Sequence, residues 1–328
     1  MTTIAVAEGG NATPGLADRL REAGHRVVEI PARPAQGVWT SQEIEELFAG
    51  ADAIVCMPGI AYPRELLERA PRLQLICSGV IGVDHIDVEA ATELGILVAN
   101  CPTAENVVGV AEATIMLTVA LLMELPARTQ ALREGGWRPQ AGGALLWRRT
   151  LGLVGYGRIG RAVHARLQGW GVEVLYHDPA VEGSTDLDTL LGASDVVSLH
   201  VVLTPATRGL IGARELALMK PSSVLVNTSR GGVVDETALA ASIDAGRLAG
   251  AALDVFEEEP IAADNPLLRC DPRRVILTPH SIGHSLDIGP SGTRVAAENV
   301  ERALRGELPE SVCNPEVVPS WQERLARL

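Results

Sequence analysis

The sequence predicts an α/β protein that contains two doubly wound parallel-sheet domains. Short apolar runs alternate with helical patterns twice along the chain, before and after a long helical stretch at 103–134. The runs are apolar throughout rather than alternating, as in strands that helices cover on both faces. The 328 residues are enough for about two domains of roughly 100–200 residues each.

In the first hundred residues, the apolar runs predict strands, and the stretches between them have the apolar spacing of helices. The predicted strands are 4–7, 27–30, 53–57, 73–77 and 96–99. The predicted helices are 13–22, 41–49, 63–70 and 87–94.

The stretch at 103–134 predicts a long helix that Pro126 kinks or breaks, because proline cannot donate the helical hydrogen bond. Gly135 and Gly136 end it. The next segment carries Trp137 and Trp147 without a clear period. We interpret it as an arm that packs on another subunit; a local surface loop anchored by its tryptophans is the alternative.

A second alternating series begins at residue 150. Its predicted strands are 151–154, 172–176, 196–199, 224–227, 251–255 and 275–277. One helix follows the first of these strands and runs to residue 170, and the others are expected near 185–191, 212–219, 235–245 and 291–305.

Composition excludes several function classes. A formal charge of −13 argues against a nucleic-acid or anionic-membrane surface, which needs clustered basic residues. Lys220 is the sole lysine, so no phosphate-binding Gly-Lys loop exists. No metal-ligand spacing occurs, and five scattered cysteines favour free thiols in a cytoplasmic protein. No signal peptide and no uncharged apolar window near 18 residues is present, so no membrane span is expected.

The clearest motif is a glycine turn between the strand at 151–154 and a helix. Gly155 permits the tight turn, Gly157 lets a pyrophosphate approach the backbone, and Gly160 allows close helix–strand packing. The next strand ends in Asp178, whose carboxylate can accept both ribose hydroxyls and would repel a 2′-phosphate. These features predict NAD rather than NADP as cofactor. The alternative is a glycine-rich packing turn followed by a solvated aspartate.

Three segments downstream, VLVNTSRGGVVDE, AALDVFEEEP and ILTPHSIG, resemble the D-isomer-specific 2-hydroxyacid dehydrogenase family. So do LICSGVIGVDHID, VANCPTAENVVGVAEA and LALMKPSSVLVNTSRGG. The resemblance implies a Rossmann cofactor domain at 100–285, inserted into a flavodoxin-like substrate domain formed by 1–99 and 286–328. It also implies a homodimer, because the long helix and the Trp137/Trp147 arm resemble the family's dimer-forming insertion.

Reduction of a 2-oxo acid needs a group that holds the carboxylate, an acid for the forming alkoxide, and a hydride donor. Arg230 can hold carboxylate and carbonyl together with its two-pronged guanidinium. His280 can protonate the carbonyl oxygen. The family's D-V-F-x-x-E-P pattern selects Glu259 as its partner, and a carboxylate there would raise the histidine pKa. Surface roles for Arg230 and Glu259 and a structural role for His280 are the alternatives.

The resemblance implies further binding roles. Arg158 and Ile159 would contact the pyrophosphate, and Thr228 and Ser229 would line the nicotinamide side. Asp254 would accept the carboxamide N–H. The remaining expected cofactor contacts are His200, Thr204, Asn106 and Gly283. The backbone at Gly79, Val80 and Ile81 would receive the substrate carboxylate.

Departures from the family pattern narrow the substrate. Phosphoglycerate dehydrogenases often carry Arg-Ser after the third strand, where this chain reads Val55-Cys56-Met57-Pro58 and ends at Leu328 without an appended domain. We therefore expect a glyoxylate- or hydroxypyruvate-type acid rather than 3-phosphoglycerate, although Val80 replaces a more typical glycine. Two alternatives remain: an NAD(H)-sensing corepressor-like binding protein, and a same-fold enzyme for phosphite or formate. Formate-type enzymes have Gln where Glu259 stands.

Overall fold

The computed structural model describes residues 1–7, 12–31, 39–137 and 142–328. The chain forms two compact units: unit 1 is Met1–Asn106 with His284–Leu328, and unit 2 is Val107–Gly283. The units therefore divide at 106/107 and 283/284, whereas the sequence analysis places the divisions at 99/100 and 285/286.

The elements follow the predicted alternation. The strands are β1 (Thr3–Ala7), β2 (Arg26–Ile30), β3 (Ala53–Cys56), β4 (Leu75–Ser78), β5 (Leu97–Ala99), β6 (Thr150–Val154), β7 (Glu173–His177), β8 (Val196–Leu199), β9 (Val224–Asn227), β10 (Gly250–Leu253) and β11 (Val275–Leu277). The helices are α1 (Leu16–Glu22), α2 (Ser41–Phe48), α3 (Arg64–Glu68), α4 (Val88–Glu93), α5 (Ala104–Leu122), α6 (Leu125–Arg133), α7 (Arg158–Arg166), α8 (Leu187–Ala193), α9 (Ala213–Leu218), α10 (Glu236–Asp244), α11 (Ile288–Leu304) and α12 (Val318–Leu325).

Unit 1 holds a parallel sheet in the order β2-β1-β3-β4-β5, the doubly wound order of flavodoxin-like folds. Every residue of β3, β4 and β5 is buried, which explains their continuously apolar sequence. Helix α12, which the sequence analysis does not predict, buries Trp321 completely, and its indole Nε1 donates to the Gln74 carbonyl at 3.0 Å.

Unit 2 holds a six-stranded parallel sheet in the order β11-β10-β9-β8-β6-β7. The first strand of the unit, β6, lies inside the sheet, and the connections run to opposite sides of it. In such sheets the crevice beside the reversal point, at the carboxyl ends of the strands, is the usual ligand position. The glycine turn follows β6 at this end. The predicted fold class is therefore confirmed for both units.

The long helical stretch is divided as Pro126 predicts. Helix α5 ends at Leu122, and α6 begins at Leu125 with Pro126 in its first turn. By length and composition alone α5 could cross a membrane. That is weak evidence, because core helices pass the same test, and Leu117, Leu121 and Leu122 pack in an apolar cluster with β6. Residues 138–141 of the predicted arm lie outside the described residues.

Candidate active site

The glycine turn at the end of β6 is shaped for close approach by a ligand. Gly155 has a positive φ of 96°, and its N–H donates to the His177 carbonyl at 2.8 Å. A Cβ at Gly160 would lie 2.4 Å from the Gly155 carbonyl oxygen. The start of α7 can therefore pack on the turn only if residue 160 is glycine. Gly157 is exposed, and a Cβ there would meet nothing within 4 Å. The turn therefore leaves open space at the N-terminus of α7, beside the exposed Arg158 and the half-buried Ile159.

Asp178 immediately follows β7, next to the glycine turn. Its Oδ2 accepts the Tyr156 N–H at 2.9 Å, and its Oδ1 accepts the Ala180 N–H at 3.1 Å. These bonds fix the carboxylate against the turn and use only part of its acceptor capacity, since a carboxylate has about four lone-pair sites. The half-buried side chain can accept further hydroxyl donors.

Arg230 is carried by a tight turn that follows β9. Ser229, which is buried, donates both its N–H and its hydroxyl to Asn227 Oδ1, at 3.0 and 2.8 Å. Thr228 Oγ1 lies 3.0 Å from Thr114 Oγ1 on α5. A Cβ at Gly231 would lie 1.8 Å from the Phe256 carbonyl carbon, so glycine is needed for this turn to pack against the segment that carries Glu259.

His280 and Glu259 form a direct pair. His280 Nδ1 lies 2.7 Å from Glu259 Oε2, and Glu259 Oε1 accepts the Phe256 N–H at 2.9 Å. His280 has a positive φ of 49°, which is uncommon for a residue with a side chain and characteristic of functional sites. Among the described residues, Nε2 of His280 has no hydrogen-bond partner, so this ring nitrogen can serve a ligand.

The charges of the site set both pKa values. The hydrogen bond with Glu259 raises the pKa of His280 above its ordinary value, against burial and the positive charge of Arg230. Burial raises the pKa of Glu259, but the hydrogen bonds from His280 and Phe256 outweigh it, so the net pKa lies below the ordinary value. The positive charge of Arg230 lowers the pKa of both groups.

Asp254, which follows β10, holds the loop that carries His280. Its Oδ1 accepts bonds from the Thr278 hydroxyl at 2.6 Å and from the N–H groups of Ser281 and Ile282 at 2.9 and 3.1 Å. The sequence analysis assigns this carboxylate to the nicotinamide carboxamide alone. In the structure its main contacts are within the loop, and Oδ2, which accepts from Ile282 at 3.2 Å, has the remaining capacity.

The other predicted cofactor contacts in unit 2 lie around these loops. His200 follows β8 with its backbone packed on the glycine turn, because a Cβ at Gly155 would meet its carbonyl oxygen at 2.5 Å. Its Nε2 lies 2.9 Å from Ser198 Oγ, and its buried Nδ1 has no hydrogen-bond partner among the described residues. Thr204 lies in an exposed turn and bonds Thr207. Gly283 packs against Gly109, since a Cβ at Gly109 would lie 2.6 Å from the Gly283 carbonyl oxygen.

The predicted substrate loop belongs to unit 1, at the carboxyl end of β4. The Gly79 N–H donates to the Cys56 carbonyl at 2.9 Å, so this predicted donor to the substrate carboxylate is already used within the loop. The Val80 N–H makes only a 3.4 Å bond, to Ser78 Oγ. Asn106, in the first turn of α5, donates from Nδ2 to the Cys101 carbonyl at 3.4 Å.

Two structural supports of the site are absent from the sequence analysis: Asn227 and Thr114. The available signal for Asn227 was a polar residue that ends the otherwise apolar strand VLVN, directly before the Arg230 turn. Thr114 lies within an apolar helix and gave no such signal. Within the described ranges, no three His, Cys, Asp or Glu side chains are grouped to hold a metal ion.

These features define a parallel sheet that carries a glycine turn and a histidine–glutamate pair at the carboxyl ends of its strands. A family model described as "D-isomer specific 2-hydroxyacid dehydrogenase, NAD binding domain" matches residues 115–281. The chain is 40% identical over 300 residues to D-3-phosphoglycerate dehydrogenase of Methanocaldococcus jannaschii, covering 88% of this chain and 56% of that protein. It is 39% identical over 293 residues to glyoxylate reductase of Korarchaeum cryptofilum, covering 84% and 86%. This chain thus spans about half of the first relative and most of the second.

Solved structures agree with these relatives. D-lactate dehydrogenase from Aquifex aeolicus, complexed with NAD and lactic acid, superposes with a TM-score of 0.82 at 27% identity, covering 95% of this chain and 99% of that one. The chain belongs to the D-isomer specific 2-hydroxyacid dehydrogenase family. It is an NAD-dependent oxidoreductase of this family.

The described residues fit NAD. The open space over Gly157 at the start of α7 provides free backbone N–H groups and the positive end of a helix dipole, which suit a pyrophosphate. The partly used carboxylate of Asp178 suits the adenosine ribose. When bound, NAD supplies or accepts the hydride in the reaction.

Proposed function

We propose that this protein interconverts a small 2-oxo acid and its D-2-hydroxy acid, with His280 and Glu259 as the acid/base pair and Arg230 as the carboxylate-binding residue. The observation that carries the proposal is the 2.7 Å contact between His280 Nδ1 and Glu259 Oε2, beside the charge of Arg230. A histidine whose second ring nitrogen is unbonded and whose pKa is raised can deliver a proton near neutral pH.

The proton moves through one defined atom. In the imidazolium form, Nδ1–H donates to Glu259 Oε2, so the transferable proton is on Nε2. During reduction Nε2–H gives this proton to the carbonyl oxygen of the substrate, and the neutral ring keeps its proton on Nδ1. Glu259 selects that tautomer, and the Phe256 N–H holds Glu259 in turn. In the oxidation direction Nε2 accepts the hydroxyl proton.

Arg230 orients the substrate in this proposal. A guanidinium presents paired N–H donors in a fixed fork that matches a carboxylate. Val80 and Ile81 of unit 1 are the proposed backbone donors to the same carboxylate. We assign Arg158, Ile159, Gly157, Asp178, Thr228, Ser229 and Asp254 to cofactor binding, with His200, Thr204, Asn106 and Gly283 bordering it.

A glyoxylate- or hydroxypyruvate-type substrate is favoured over 3-phosphoglycerate by the residues that follow β3. A Cβ at Gly79 would lie 2.6 Å from Met57 Sδ, so an apolar thioether lies against the proposed carboxylate loop where a phosphate-binding arginine would otherwise be expected.

Replacing Arg230 by lysine tests the proposal. Arg230→Lys keeps the charge and loses the forked hold, so we expect KM for glyoxylate to rise by roughly 10²-fold, in line with loss of a charge-assisted pair. The dissociation constant of NADH, measured by fluorescence titration, should change little. Equal losses of both affinities would contradict the assignment. Arg208→Lys, at an exposed ion pair with Glu257, is a matched control that should leave KM within about twofold.

We also propose a cytoplasmic homodimer formed through an apolar face of unit 2. Large apolar side chains are exposed along α5, α6 and the segment after them: Met116, Met123, Leu125, Leu132, Trp137, Leu145 and Trp147. The exposed Trp170, which follows α7, lines the same shallow pocket as Trp147. Exposed large apolar side chains in this number are typical of a surface that another chain covers. A second copy of this chain is the proposed occupant, as the family resemblance implies.

Light scattering tests the dimer. The expected mass is twice 34.6 kDa at micromolar concentration, and Leu132→Glu should lower it to that of one chain. Leu286→Glu, at an 84% exposed leucine of unit 1, is the matched control and should leave the mass unchanged. A wild-type mass near 34.6 kDa would refute the dimer.

A further inference from the structure

The short turn between β9 and the 3₁₀ segment at Gly231–Val233 has two structural requirements. It must present the Arg230 side chain and keep its own backbone polar groups satisfied away from water. Asn227, the last residue of β9, is fully buried, and its side chain makes three hydrogen bonds. Oδ1 accepts from the Ser229 N–H and hydroxyl at 3.0 and 2.8 Å, and Nδ2 donates to the Arg230 carbonyl at 3.0 Å.

All three bonds are made to residues 229 and 230, and within the described ranges the side chain bonds no neighbouring strand. The amide therefore holds both sides of the turn, one as acceptor and the other as donor. Its own position is fixed by β10, because the Asp254 N–H donates to the Asn227 carbonyl at 3.0 Å. Asp254 in turn accepts bonds from the loop that carries His280. Asn227 therefore connects the Arg230 turn with the residue that holds the loop of the proposed acid/base histidine.

We infer that Asn227 is a positioning residue, which sets the direction of Arg230 toward the 2-oxo acid without touching substrate itself. This inference rests on the proposed function, because it assigns to Asn227 an effect exerted through Arg230. Arg230 Nη1 also donates to the Ser229 carbonyl at 2.7 Å, so the guanidinium is hydrogen-bonded to the same turn that Asn227 fixes. A turn with one side released would let the guanidinium move relative to the carboxylate.

No other residue type reproduces the pattern of bonds. Aspartate keeps the acceptor for Ser229 but places a second oxygen against the Arg230 carbonyl, where a donor is required. Alanine loses all three bonds and leaves the Ser229 N–H and the Arg230 carbonyl without this partner. Misplacing a substrate-holding group by about 1 Å can cost roughly 10²-fold in rate.

A double-mutant cycle on the whole enzyme tests the inference. The variants are Asn227→Ala, Arg230→Gln and the double substitution, with kcat and KM for glyoxylate and the NADH dissociation constant measured for each. We expect Asn227→Ala to lower kcat/KM by roughly 10²-fold, mainly through KM. In the Arg230→Gln background the same change should lower kcat/KM by less than about threefold, because its target is already gone.

Two comparisons separate positioning from lost stability. Asn227→Asp keeps the Ser229 bonds and should still raise KM. Asn314 is an equally buried asparagine of unit 1 whose side chain also makes three bonds, to Val98, Thr92 and Ile96. Asn314→Ala should lower the melting temperature as Asn227→Ala does, and leave KM at the wild-type value.

The outcomes distinguish this inference from the proposed function. Equal losses from Asn227→Ala in both backgrounds, or a wild-type KM for Asn227→Ala and Asn227→Asp, would overturn the positioning role. A wild-type kcat/KM for Arg230→Gln would instead overturn the assignment of Arg230. A rise in KM caused by Asn227→Ala when Arg230 is present, but not in the Arg230→Gln variant, supports the inference.

Discussion

Each unit contains a histidine paired with a glutamate at nearly the same distance, and the two pairs differ in the second ring nitrogen. In unit 1, His25 Nε2 lies 2.8 Å from Glu301 Oε1, and its Nδ1 lies 2.5 Å from Thr2 Oγ1. In unit 2, His280 bonds Glu259 through Nδ1 only. The side-chain exposures are 13% and 29% for the first pair and 46% and 37% for the second.

The proposed acid/base role of the second pair rests on this difference. His25 joins the chain start to α11 and uses both nitrogens for that purpose. His280 sits in a left-handed backbone conformation, beside the charge of Arg230, with one nitrogen held and the other unbonded among the described residues. The histidine–carboxylate distance is therefore nearly the same in both pairs, and the proposal for His280 depends on the unbonded nitrogen and the neighbouring cation.

Removing each histidine gives the largest expected contrast. His280→Ala should lower kcat for reduction by about 10²–10⁴-fold, the range for loss of a general acid. His25→Ala removes a pair of similar geometry and should lower thermal stability with kcat within about twofold of wild type. Steady-state kinetics with saturating NADH measures both. Similar kcat values for the two variants would remove the distinction drawn between the pairs.

Cofactor choice is the next largest effect, and it depends on unit 2 alone. Asp178 should repel a 2′-phosphate, so we expect kcat/KM with NADH to exceed that with NADPH by roughly 10²-fold, about 2.7 kcal/mol. Asp178→Ser should lower the ratio of kcat/KM with NADH to kcat/KM with NADPH, because it weakens NADH binding. Adding Ala180→Arg to this variant should strengthen NADPH binding, because a guanidinium can pair with the 2′-phosphate.

Asp186→Ser is the control for cofactor choice, since Asp186 caps α8 through the Thr189 N–H at 3.0 Å and has no proposed ligand. It should leave the NADH-to-NADPH ratio unchanged. Equal use of both cofactors by the wild type would show that Asp178 does not face the ribose.

The pH profile tests the pairing itself. The hydrogen bond with Glu259 raises the pKa of His280, so the imidazolium persists to higher pH, and reduction is lost as pH rises through that raised value. Glu259→Gln removes the carboxylate, so the alkaline limb of kcat/KM should move to lower pH. Glu301→Gln, at the matching pair of unit 1, should leave the limb in place. An unmoved limb in Glu259→Gln would exclude the pairing as the cause.

The smallest expected effect concerns His200, and it is on the pH dependence of the unfolding free energy. Burial lowers the pKa of His200 to about 4, so the folded state keeps it neutral while the unfolded chain takes up a proton below its ordinary value of 6.5. The contribution is fully present above pH 6.5 and is lost as pH falls toward 4. The unfolding free energy should fall by at most about 1.4 kcal/mol per pH unit there. Urea denaturation of His200→Gln should show a shallower dependence; an identical slope would contradict the assignment.

Much of the fold followed from local patterns. Continuously apolar runs predicted the strands because parallel strands are buried on both faces, and Pro126 predicted the division between α5 and α6. Helix α12 was missed because its apolar face is short, and its main anchor, Trp321, depends on distant partners: a core cluster that includes residues of β1, β4 and β5, and the Gln74 carbonyl.

The site divides in the same way. The glycine turn and Asp178 are local and were predictable by spacing, whereas Arg230, Glu259 and His280 come from three strand ends and depended on the family resemblance. Asn227 and the loop contacts of Asp254 could not be inferred, because hydrogen bonds between non-adjacent loops leave no periodic signal in the sequence. The bond from the Gly79 N–H to Cys56 is of the same kind.

Turnover of a panel of acids tests the central claim most directly. Glyoxylate, hydroxypyruvate, pyruvate and the 2-oxo acid derived from 3-phosphoglycerate are each offered with NADH, and formate and phosphite with NAD. We expect reduction to the D-hydroxy acid, with kcat/KM for glyoxylate or hydroxypyruvate at least about tenfold above that for the phosphorylated acid. NADH binding without turnover of any acid, or a preference for formate, phosphite or the phosphorylated substrate, would contradict it.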